Sequence, residues 1–89
     1  MVNWKIVYTT QARKDAKKIG KDPSLKQKVR TLLLILEEDP LKTPPMFEKL
    51  VGDLEGAYSR RINIQHRLVY QLLKDRKIIK ILRMWTHYE

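Results

Sequence analysis

Leu25, Val29, Leu32, Leu33 and Leu36 fall on one continuous stripe at helical spacing, and that stripe is the strongest constraint on the fold. A helix with such a face must bury it against another layer of structure. Asp22 supplies the N-cap, and Pro23 follows in the first turn, where its missing N–H is harmless. Glu37-Glu38-Asp39-Pro40 stops the helix. Upstream, Ala12, Ala16 and Ile19 at i, i+4 and i+7 predict a shorter helix, with Thr9 or Thr10 as its cap and Gly20 at the C′ position. Gly20–Asp22 joins the two helices, which are expected to pack as an αα-hairpin.

The remaining segments read as strands. Trp4–Tyr8 is short, aromatic and β-branched. Leu41–Met46, with Pro44-Pro45, is expected to be a surface crossing loop. Phe47–Leu50 reads as a short extra strand and Gly52–Gly56 as a turn. Ala57–Ile64, Arg67–Leu73 and Lys77–Trp85 have strand character, and Lys74-Asp75-Arg76 is a hairpin-length connection between the last two. The order β-α-α followed by several strands predicts an α+β fold, with both helices on one face of a twisted antiparallel sheet.

At 89 residues and 10.7 kDa the chain has room for one domain, and any site on it must be built from few residues. Nineteen Lys and Arg against ten Asp and Glu give a formal net charge of +9, so the expected partner is polyanionic. Nucleic acid, an acidic protein and an anionic membrane all satisfy that charge. The apolar run Leu32–Leu36 is far short of the roughly 20 residues of a membrane span, and no basic-then-apolar signal segment precedes Trp4. A soluble, cytoplasmic protein without a membrane partner is the expectation. The absence of cysteine excludes a disulfide framework, a thiolate nucleophile and a Cys-based zinc site.

Few residues remain for chemistry. No His-x-x-x-His or Glu-x-x-His pair falls on a predicted helix, and the three glycines do not form a phosphate loop, so neither a metal nor a cofactor is expected. Ser24 and Ser59 lack nucleophile-elbow surroundings. The cations do cluster: Arg60, Arg61 and Arg67 lie on neighbouring strand segments, and Arg83 precedes His87 and Tyr88 on the last one. By strand parity Arg67 shares a face with Val69, Gln71 and Leu73. Arg83, Trp85 and His87 share another face, and Glu48 is the carboxylate placed to join the cluster. Leu68, Tyr70, Leu72, Trp4 and Trp85 read as core residues, and His66, of opposite parity to Arg67, as structural. Arg13, Lys14, Lys17, Lys18 and Lys21 form either a plain solvated face or a docking surface.

G-A-Y-S-R-R-I (Gly56–Ile62), H-R-L-V-Y (His66–Tyr70) and the terminal T-H-Y (Thr86–Tyr88), with the helix pair and an E-x-L element at Glu48, resemble the YoeB/Txe branch of the RelE/ParE toxin superfamily over nearly the whole chain. The resemblance implies a toxin of a type II toxin–antitoxin module with a microbial RNase-like fold. Such toxins cut messenger RNA in the ribosomal A site without a metal, and an acidic antitoxin of the YefM/Axe kind silences them. By the same resemblance Glu48 is the general base, Arg67 contacts the scissile phosphate, His87 is the general acid and Tyr88 positions the substrate. Arg61 is a second phosphate-facing cation, and Arg83 is expected beside it. The family lysine falls on Val51, so Lys49 is the candidate to replace its charge. The five cations from Arg13 to Lys21 would then grip ribosomal RNA through phosphate contacts. A homodimer is left open, as is a non-catalytic RNA- or partner-binding module of the same fold.

These residue types suit the reaction. RNA carries its own nucleophile, the 2′-hydroxyl, so a ribonuclease needs a base, cations for the developing phosphorane charge and an acid for the leaving oxygen.

Overall fold

The computed structural model describes residues 3–44, 46–50 and 56–84. Most of the turn expected at Gly52–Gly56, the Val51 position, and Trp85, His87 and Tyr88 at the chain end lie outside the described residues. Strand β1 spans Lys5–Tyr8 and leads into helix α1, Thr10–Ile19. Thr9 caps α1 as its residue type predicts, its Oγ1 accepting from the Ala12 N–H at 3.0 Å. Gly20 departs from expectation. It closes α1 in the ordinary right-handed region, at φ −61°, with its own N–H donating to the Ala16 carbonyl, so no left-handed C′ residue is needed.

Helix α2 spans Pro23–Glu38, and the Asp22 carboxylate accepts from the N–H groups of Ser24 and Leu25. Leu25, Val29, Leu32 and Leu36 are buried, and Leu33 packs at the margin of the core. The remaining strands are β2, Phe47–Lys49; β3, Ala57–Arg61; β4, Arg67–Leu73; and β5, Ile78–Arg83. Together with β1 they make one five-stranded sheet in the order β1-β5-β4-β3-β2. The sheet is antiparallel from β2 to β5, as expected, and β1 joins its edge parallel to β5. Alternation of side chains shows that a strand exists and which face it buries, but it is the same for either direction of pairing.

Both helices cover one face of the sheet. Leu68, Tyr70, Ile79 and Ile81 interlock there with Ala12, Ile19 and the α2 stripe, while Trp4, Ile6, Tyr8 and Leu72 close the margins. Period-two alternation sends the intervening residues of β3 and β4 to the opposite face. Among the described residues no helix is long and apolar enough to cross a membrane.

Candidate active site

The consecutive residues Ser59, Arg60 and Arg61 of β3 are divided between the two faces of the sheet. Arg60 points to the helix side and is fully buried. Its Nε donates to the Tyr70 hydroxyl at 3.0 Å, and its Nη2 donates to the carbonyls of Pro40 and Lys42 at 2.9 and 2.8 Å. The guanidinium carbon lies 5.2 Å from the centre of the Phe47 ring. Arg60 therefore ties the loop after α2 to the sheet. It does not share the face of Arg61 and Arg67, although its position beside Arg61 in the sequence groups them. Burial raises the Tyr70 hydroxyl above the ordinary tyrosine range, with the adjacent Arg60 charge opposing the shift.

Ser59 and Arg61 face away from the helices. In the sheet register Ser59 lies opposite Glu48 of β2 and Val69 of β4, and Arg61 lies opposite Arg67. Arg67 Nη1 donates to Glu48 Oε1 at 3.3 Å. Met46, Glu48, Ser59, Arg61 and Arg67 line a cavity of about 270 Å³. Three residues separated by up to 19 positions in the chain, Glu48, Arg61 and Arg67, are thus brought to one cleft. The Glu48 side chain is 66% exposed, so this ion pair contributes little to stability and can be exchanged for another anion. A guanidinium prefers bidentate contact with phosphate or carboxylate, and Arg67 has its carboxylate already at hand.

Two expected phosphate ligands are elsewhere. Lys49 is one residue from Glu48 on the same strand, so it takes the other parity and pairs with Tyr58, a helix-side residue. Lys49 therefore does not line the cleft that holds Glu48. Arg83 is tied to α1: its Nε donates to Asp15 Oδ2 at 2.9 Å, and it does not line the cleft. Asp15 is fully buried and also accepts from the Met84 N–H at 3.1 Å and from Gln11 Nε2 at 3.2 Å. Burial pushes the Asp15 carboxyl upward, but these hydrogen bonds and the Arg83 charge outweigh it and hold the pKa below the ordinary value. Asp15 was legible only as an interruption in the apolar face made by Ala12, Ala16 and Ile19.

Arg13, Lys14, Lys17, Lys18 and Lys21 are all exposed. They lie on α1 and the turn after it, across the sheet from the cleft. His66 lies in the connection between β3 and β4. Its N–H donates to Asn63 Oδ1 at 2.7 Å and its carbonyl accepts from Ile62 and Asn63, which shapes that connection. A larger groove of about 610 Å³ between the helices and β1 is mostly apolar, and among the described residues Glu37 is the carboxylate that lines it. Among the described residues, no group of three or more metal-ligating side chains gathers.

Two helices thus cover one face of a mostly antiparallel sheet, and a carboxylate and two arginines converge on the other. The family model of the YoeB-like toxin of bacterial type II toxin–antitoxin systems matches residues 8–88, and the chain belongs to that family. It is 38% identical over 58 residues to Toxin YoeB of Streptomyces coelicolor, covering 65% of this chain and 69% of that one. A solved YoeB/ParE toxin from Agrobacterium tumefaciens superposes with a TM-score of 0.87 at 27% identity, covering 94% of this chain and 99% of that chain. The toxin of a YoeB-YefM complex from Staphylococcus aureus superposes with a TM-score of 0.81 at 34% identity, covering 96% and 98%.

Proposed function

We propose that this toxin is a metal-independent endoribonuclease that cuts messenger RNA in the ribosomal A site and is held inactive by an acidic antitoxin. The observation that carries this reading is the Glu48–Arg67 ion pair beside Arg61 in one small cleft. The cleft presents a carboxylate and two cations, which suits a substrate whose own 2′-hydroxyl attacks.

In the proposed reaction Glu48 takes the proton from the 2′-hydroxyl, and that oxygen attacks the adjacent phosphorus. The bond from phosphorus to the 5′-oxygen breaks, and a proton is delivered to the leaving oxygen. The products are a 2′,3′-cyclic phosphate and a free 5′-hydroxyl. Arg67 and Arg61 stabilise the charge that builds on the non-bridging oxygens, a contribution of typically 10²–10³-fold per donor in comparable sites. His87 is assigned the acid and Tyr88 the positioning role by their place in the terminal T-H-Y element. Glu48 as base and His87 as acid each carry roughly 10²–10⁴-fold.

The exposed cations of α1 lie on the far side of the sheet from the cleft, so they serve a different stretch of polyanion from the one being cut. Ribosomal RNA lining the A site fits that second contact. The net charge of +9 and the YefM complex of the S. aureus relative support an acidic antitoxin as the inhibitor. Mapping transcript ends during translation tests the reading: discrete cuts within codons, absent in Glu48→Ala and Arg67→Ala, are expected. Intact transcripts with the wild-type protein leave only a non-catalytic binding module.

A further inference from the structure

One polar group in the cleft has no task in the mechanism above. Ser59 is 2% exposed, its Oγ is buried, and among the described residues it has no hydrogen-bond partner. A hydroxyl taken out of water without a partner is unfavourable, and most buried hydroxyls in folded proteins are satisfied. Ser59 also lines the cleft, where it forms the floor between the exposed walls of Glu48 and Arg61. Its cross-strand neighbour in the register is Glu48 itself. Directly opposed residues on one sheet face have Cβ atoms about 4.5–5.5 Å apart, so the longer glutamate side chain can fold back onto a serine hydroxyl.

In the resting state Glu48 extends instead towards Arg67. A substrate phosphate competes for that guanidinium and offers it two oxygens in a fork. Once Arg67 turns to phosphate, the Glu48 carboxylate loses its donor at the moment it must be aimed at a hydroxyl. We propose that Ser59 is a positioning residue for Glu48: its Oγ–H donates to one carboxylate oxygen when Arg67 engages the scissile phosphate, leaving the other oxygen directed at the 2′-hydroxyl. The unfilled hydrogen bond of the resting enzyme is then a site prepared for the loaded one. This inference rests on Glu48 being the base.

The test is single-turnover cleavage of messenger RNA in the A site of programmed ribosomes, with thermal unfolding of each variant alongside. Ser59→Ala is expected to lower the maximal rate roughly 10-fold, the effect of one hydrogen bond realised in the transition state. The toxin concentration giving half-maximal rate is expected to stay unchanged. Its Tm is expected to equal or exceed that of the wild type, because the variant removes an unsatisfied buried oxygen. Ser59→Thr keeps the hydroxyl, and its extra methyl can enter the cleft, so it is expected to recover most of the rate. A wild-type rate for Ser59→Ala, or a fall in its Tm, overturns the assignment of Ser59 while a dead Glu48→Ala leaves the base in place. Full cleavage by Glu48→Ala overturns the base and the Ser59 role together.

Discussion

Arg60 and Arg61 are adjacent in the chain, yet their replacement should have opposite consequences. Arg60 is fully buried and donates hydrogen bonds to Tyr70 Oη and to the carbonyls of Pro40 and Lys42. Hydrogen bonds from charged groups contribute about 1.5–3 kcal/mol each, so the gross loss on Arg60→Met is large. Part of it is recovered. The Lys42 carbonyl belongs to an exposed residue and can regain water, and the Pro40 carbonyl keeps the Tyr70 hydroxyl at 3.2 Å. Removing the buried guanidinium also relieves its own desolvation. The net destabilisation is about 2–4 kcal/mol, a substantial share of the roughly 4–13 kcal/mol expected for a domain of this length. At about 4–8 °C per kcal/mol, Tm should fall by roughly 10–30 °C.

Arg61 is exposed and lines the cleft. Arg61→Ala should change stability by less than about 0.5 kcal/mol, while cleavage drops on the order of 10²-fold. Circular dichroism melts and urea titrations give the first quantity for both variants, and single-turnover cleavage gives the second. Comparable melting of the two variants, or an Arg60→Met Tm within a few degrees of wild type, would refute the division of the S-R-R motif between the two faces.

Asp15 and the α1 cations give two further outcomes. Asp15→Asn keeps the shape but removes the charge that Arg83 and the Met84 N–H share, and is expected to lower stability at neutral pH by about 2–3 kcal/mol. Because the Asp15 pKa is held below its ordinary value of 3.8, this stabilisation is complete above that pH and is lost as pH falls through the lower folded value. Urea titrations from neutral to acidic pH should therefore show the wild type and Asp15→Asn converging in acid, and a constant difference would contradict the assignment. Replacing Lys14 and Lys17 together with glutamine should weaken ribosome binding uniformly and reduce its salt dependence by about two charges, leaving the maximal cleavage rate intact. A loss of maximal rate without a change in binding would place those lysines at the reacting centre.

The helices were legible because their caps and stripes are local: Thr9, Asp22-Pro23 and the leucine series each sit within a few residues of what they determine. Strands β3, β4 and β5 were legible from their strand character, although β3 and β5 are shorter than the expected segments Ala57–Ile64 and Lys77–Trp85. The direction of β1 was not, since its partner lies more than 70 residues away and either pairing buries Ile6 and Tyr8 equally. The same distinction separates the site residues. Parity within a strand separates Arg60 from Arg61 and Lys49 from Glu48, but it is the β3–β4 register that sets Arg61 opposite Arg67. Arg83 escaped because its partner Asp15 is 68 residues away on another element, and no periodicity connects a strand end to a helix face. Ser59 escaped for a different reason: a serine outside a nucleophile elbow has no signature in sequence, and its burial without a partner among the described residues arises only once β2 and β4 flank it.

The central claim, that the Glu48–Arg67 cleft cuts messenger RNA during translation, is tested most directly by mapping the ends of a reporter transcript in a translating extract. The wild-type protein should produce discrete cuts within codons that disappear when initiation is blocked, and Glu48→Ala and Arg67→Ala should leave the transcript whole at equal protein and unchanged Tm. Transcripts that stay intact with wild type, or identical cuts with both variants, would contradict it.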